Sequence, residues 1–235
     1  MGRVSWGQSF AFGMTAVMVP WVFVAVISAT LLLASGESDA VAYFLLPLTA
    51  VVAVIAAVIA ALITRAWRPL NRLGAGLHTI LASVLSFAVV GAVAGAFVAG
   101  GFLAPFTIIL LFGGGTFLIG GGTPWALAGG IFASRILPTV RVTRPRWAPA
   151  GWILVGIAAV IVAVILMTPY LPGDWHWFPL GRSPEGNDTP SWLPTIILAN
   201  GLGIVALGAA LWATREPDPG SAPVSSLGSA DPAGS

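Results

Sequence analysis

The chain has no cysteine and no lysine, and it is short of charge of either sign. Without cysteine there are no disulfides, no thiolate catalysis and no cysteine-held metals; the redox compartment stays open. With only two histidines besides, haem and iron–sulfur groups would need unusual ligation. No cofactor and no metal is expected. Charged residues make up 8% of the 235 positions and hydrophobic residues 57%, whereas soluble domains carry roughly 25% charged residues. No soluble fold of this size hides so much apolar surface, so the chain reads as a polytopic membrane protein. All ten basic residues are arginine; with the heavy use of Ala, Gly and Val this suggests a high-GC bacterial genome. A net charge of +2 is no electrostatic footprint for nucleic acid, and no nucleic-acid partner is expected.

What the chain has in abundance is long apolar runs. A bilayer core of about 30 Å takes roughly 20 apolar residues as a helix. Six segments reach that length, near 10–34, 41–63, 77–99, 103–133, 150–168 and 192–213. The fold class expected is therefore all-α, a six-transmembrane-helix bundle over residues 1–215. Residues 216–235, rich in Pro, Gly, Ser and Ala, read as a disordered cytoplasmic tail, because they lack apolar surface to offset chain entropy. The first run, from Phe10 to Leu33, is too long for a signal-peptide core of about 7–15 residues. It reads as an uncleaved first span, with a kink expected at Pro20.

Arginine positions set the expected topology. With six spans and both ends in the cytoplasm, nine of the ten arginines lie inside and Arg182 alone outside, as the positive-inside rule requires. Five of the eight acidic residues then fall outside. The expected location is a bacterial plasma membrane. Arg65, Arg68, Arg72, Arg141, Arg144 and Arg146 form two inner clusters suited to the phosphates of anionic phospholipids, which guanidinium binds bidentately.

The stretch 102–135 carries eight glycines. Crossing twice would carry the Arg135–Arg146 cluster outside, so it crosses once, or once with a re-entrant element. At 1.5 Å per residue, a straight helix over 103–133 is about 46 Å long, more than the core. A break absorbs the excess: a helix to Ile119, an irregular Gly120–Gly122, then a helix with Thr123 as N-cap and Pro124 at its first position. Gly120, Gly121, Gly122 and Thr123, with the intramembrane Asn200, are the candidate ligand or packing site. As packing, Gly115, Gly122, Ala126, Gly129 and Ala133 would line one seam, with Gly91 and Gly95 of the third span as a partner surface. As a ligand site, the break would offer backbone groups to a solute, as in discontinuous transporter helices. No second broken helix matches it, and no acidic or basic residue lies deep in a span, which disfavours proton-coupled transport.

Asp174, Trp175, His176 and Trp177 form a candidate recognition patch in the one long outer loop; an interfacial aromatic anchor is the plainer use of such residues. Asp174 and His176 could form an acid–base pair, but no nucleophile stands in a recognisable context. There is no Walker A loop, GxSxG, HExxH or dinucleotide fingerprint, and the triple glycines lack a following Lys-Ser/Thr. No catalytic residue is assigned. The leading expectation is a non-enzymatic accessory or scaffolding subunit, whose partners are the bilayer, anionic lipids and other membrane subunits or a second copy. The alternative is a small permease or channel-like carrier for a neutral or lipidic solute. A lipid-modifying enzyme at the outer face ranks last.

Overall fold

In the computed structural model, residues 4–35, 40–97, 101–138, 140, 148–167 and 192–215 are described. They form seven long helical elements and no strand: α1 (Trp6–Ser35), α2 (Ala40–Ala66), α3 (Arg72–Phe97), α4 (Leu103–Ile119), α5 (Gly122–Ala133), α6 (Ala148–Met167) and α7 (Trp192–Ala213). The stretch Ile109–Gly114 inside α4 is π-helical. Five helices are long and apolar enough to cross a membrane by themselves, and six if α4 and α5, bent by 72° at their break, count as one span. The protein is an all-α membrane bundle with an interrupted fourth span. Residues 216–235, expected as a tail, and 169–191, expected as an outer loop, lie outside the described residues.

Helix ends follow local chemistry. Ser5 and Gln8 form a reciprocal capping box: the Ser5 amide donates to Gln8 Oε1 at 3.1 Å and the Gln8 amide to Ser5 Oγ at 3.2 Å. This satisfies two donors that a helix start leaves orphaned. At α3 the Gly74 amide donates to Asn71 Oδ1 at 2.7 Å. That cap sets the start of α3 at Arg72, five residues before the expected 77. α1 runs through Pro20 as one helix.

Packing is by small residues, with large ones facing out. The buried apolar set is mostly alanine, including Ala53, Ala56, Ala57, Ala60, Ala61, Ala75, Ala82 and Ala133. The exposed set is Leu, Val, Ile, Phe and Trp, spread over the long helices. In lipid there is no hydrophobic drive between helices, so close backbone approach holds them together. The Ala57 and Ala61 backbone meets Gly13 of α1. Gly156, Gly201 and Gly208 do the same between α6 and α7. The Val/Ile-rich α6 packs chiefly on α7 and leaves its other faces outward.

At one end of the bundle Val4, Phe12, Ala75, Ala133 and Leu137 share a cluster. There the Arg65 guanidinium stacks over Trp6 at 3.9 Å, and Arg72 Nη2 donates to the Thr214 carbonyl oxygen. This end thus gathers the start of α1, the end of α2, the start of α3 and the ends of α5 and α7. It is the basic end.

Candidate functional site

The break in the fourth span is the most unusual backbone in the protein. α4 ends at Ile119 and Gly120 turns out of the helix, its amide donating to the Thr116 carbonyl at 2.6 Å. Gly121 then adopts φ +105°, the one positive φ among the described glycines. L-residues with a Cβ resist that left-handed region by about 1–2 kcal/mol, so glycine is needed here. α5 begins at Gly122, not at Pro124.

Two expectations for this joint need correction. Thr123 is not the N-cap: it is the second residue of α5, and its hydroxyl donates backwards to the Leu118 carbonyl at 2.9 Å. It closes the end of α4 instead of opening α5. Pro124 is the third residue of α5, still in the first turn, where a missing amide breaks no helical bond. Asn200 completes the joint from α7. Its Nδ2 donates to the Ile119 carbonyl at 3.0 Å and to the Ile196 carbonyl of its own helix at 2.9 Å. Three of the carbonyls near the end of α4, those of Thr116, Leu118 and Ile119, therefore have partners within the protein.

The space at the joint is filled as well. A Cβ on Gly121 would come within 2.9 Å of the Ala199 backbone and side chain, and one on Gly122 would enter the Phe117 ring. Gly203 of α7 sits against Pro124 and Trp125. The structure thus brings Gly120, Gly121, Gly122, Thr123 and Asn200 together as the sequence suggests. It adds Phe117 and Ala199, which carry no sequence signal beyond being apolar and near the break.

Beyond the joint, the expected single seam does not form. The 72° bend separates Gly115, which faces open space, from Gly122 and Gly129. Instead α5 is a short hub. Gly129 lies against the Ala16 carbonyl and Pro20 of α1, Gly130 against Ala75, Gly76 and Thr79 of α3, and Pro124 against α7. Gly91 and Gly95 do receive the fourth span, but through Phe106 and Phe102 of its first half. Gly113 takes the ring of Phe87, which also meets Phe117 with ring centroids 6.0 Å apart. Away from α3 and the joint, α4 turns large apolar side chains outward, among them Leu103, Leu111 and Phe112.

The bend also shortens the pair. Segments of about 26 Å and 22 Å in line would reach about 48 Å; bent by 72° they reach about 39 Å end to end.

Arg65, Arg68 and Arg72 stand at the basic end, with Arg65 exposed and Arg68 and Arg72 half-buried. Arg141, Arg144, Arg146, Asp174, Trp175, His176 and Trp177 lie outside the described residues. Among the described residues no group of three or more histidine or carboxylate side chains is placed to hold a metal ion. Comparison with protein-family models, curated proteins and solved structures gave no match.

Proposed function

We propose that this protein is a non-enzymatic accessory or scaffolding subunit of a bacterial plasma membrane, with both termini cytoplasmic. The observation that carries this reading is the internal closure of the break. A discontinuous helix that serves a solute leaves its terminal backbone groups to the ligand. Here the Leu118 and Ile119 carbonyls already accept from Thr123 and Asn200, and Ala199 fills the space beside Gly121. Irregular backbone at membrane depth needs no ligand when protein satisfies it.

An assembly role also suits the outward face of α4, whose Leu111 and Phe112 stand clear of the bundle. That face would meet another subunit or a second copy. The basic end, with Arg65, Arg68, Arg72, Arg135 and Arg215, would face the cytoplasm and its anionic phospholipids.

A photo-crosslinking residue at Phe112, with Leu154 on the outward side of α6 as control, tests this in native membranes. A discrete protein adduct from position 112 and lipid alone from 154 is the expected result. Lipid alone from both positions would refute the assembly role. The second reading, a small permease for a neutral or lipidic solute, draws on the left-handed Gly121 inside an apolar span.

A further inference from the structure

Seven hydroxyl side chains are buried among the described residues: Ser9, Thr64, Thr79, Ser83, Ser86, Ser134 and Thr214. Five of them donate to a carbonyl three or four residues back on their own helix. This is the usual refuge for a hydroxyl in an apolar helix. Ser9 and Thr64 do not use it. Both are 0% exposed and neither oxygen has a hydrogen-bond partner. The third buried side-chain atom without a partner is His78 Nδ1.

These three belong to three different helices, and the packing brings them towards one junction. Gly13 of α1 lies on the Ala57 carbonyl and the Ala61 amide of α2. Two turns along α1 towards the basic end, Trp6 stacks on Arg65. Ser9, between Gly13 and Trp6, therefore faces the turn of α2 that contains Thr64. On α3, His78 stands between Ala75 and Ala82. Ala75 packs in the same cluster as Phe12 of α1, and Ala82 with Ala56, Ala57 and Ala60 of α2. His78 is thus on the turn of α3 that meets the α1–α2 contact. Its side chain, like other long ones on a helix, leans back towards the N-terminus of its helix and so towards the level of Thr64.

We infer that the α1–α2–α3 junction near the basic end is an internal hydration site, holding a water shared by Ser9, Thr64 and His78. A buried polar atom without a partner costs about 1–3 kcal/mol, and buried waters characteristically satisfy such atoms with about three hydrogen bonds each. The donor and acceptor types match. The Ser9 and Thr64 hydroxyls donate to the water oxygen, and the water donates to His78 Nδ1, with the imidazole proton on Nε2.

The test uses the full chain in lipid nanodiscs with ¹⁵N-histidine and His176→Asn, which leaves His78 as the sole histidine. Polarisation transfer from water to His78 Nδ1 is expected, together with its loss in Thr64→Val while the Nε2 resonance persists. No transfer, or transfer unchanged by both Thr64→Val and Ser9→Ala, overturns the site. A stability cycle gives an independent reading. Ser9→Ala and Thr64→Val should each lower the unfolding midpoint, and the double variant should fall no further than the worse single. Midpoints that rise, or that fall additively, contradict a shared water.

Discussion

Asn200, near the middle of the last helix, donates its side-chain amide to the carbonyl oxygen of Ile119, 81 positions earlier, at 3.0 Å. Ile119 is the last residue of α4 before the break. One side chain thus joins the interrupted span to the C-terminal hairpin at the point where the backbone loses its own bond. Interhelical hydrogen bonds in membranes average about 0.6 kcal/mol and reach about 1.7. Asn200→Leu should lower stability within that range in detergent unfolding. An unchanged midpoint would mean that this bond does not hold the joint.

Gly121 and Gly115 make a matched pair of tests. Gly121→Ala meets both the left-handed backbone and Ala199, so it should cost at least about 1–2 kcal/mol. Gly115→Ala enters open space on a helix and should stay within about 0.5 kcal/mol of the parent. Unfolding of the two purified variants, side by side, checks the contrast.

The hub role of α5 predicts a similar asymmetry. A side chain at Gly129 overlaps the Ala16 carbonyl, whereas one at Gly151 meets nothing within 4 Å. Gly129→Val should abolish a monodisperse peak on size exclusion, and Gly151→Val should retain it. A monodisperse Gly129→Val protein would show that α1 and α5 are not in close contact.

At the basic end, the guanidinium of Arg72 donates to the Thr214 carbonyl and so ties the end of α7 to the start of α3. Arg72→Ala should raise hydrogen exchange in the last turn of α7, with Arg72→Lys intermediate, since an ammonium keeps a donor but loses the planar fork. Equal exchange in all three proteins would assign that turn's protection to other contacts.

Much of the fold was legible because lipid imposes one rule at a time. Hydropathy locates the spans: 192–213 and 150–168 agree with α7 and α6 to within two residues. Length with a fixed number of crossings calls for a break, and Gly120–Gly121 supplies it. The details of the joint were less legible, because a hydroxyl in a Thr-Pro pair can serve either neighbouring helix. Thr123 closes α4, and only the position of Leu118 in space decides that. The seam expected through Gly115 and Gly129 fails for the same reason: helical periodicity holds only as far as the helix does. The Asn71 and Ser5–Gln8 caps, by contrast, are local patterns readable from sequence that place helix starts earlier than hydropathy does.

Water accessibility at the joint separates packing from transport most directly, and a chain without cysteine suits the measurement. Thr123→Cys should resist a charged, membrane-impermeant thiol reagent applied from either side of sealed vesicles. Trp67→Cys, exposed at the basic end, should react from one side only. Labelling of position 123 from either side, slowed by an added solute, would contradict a packed joint and turn the break into a transport site.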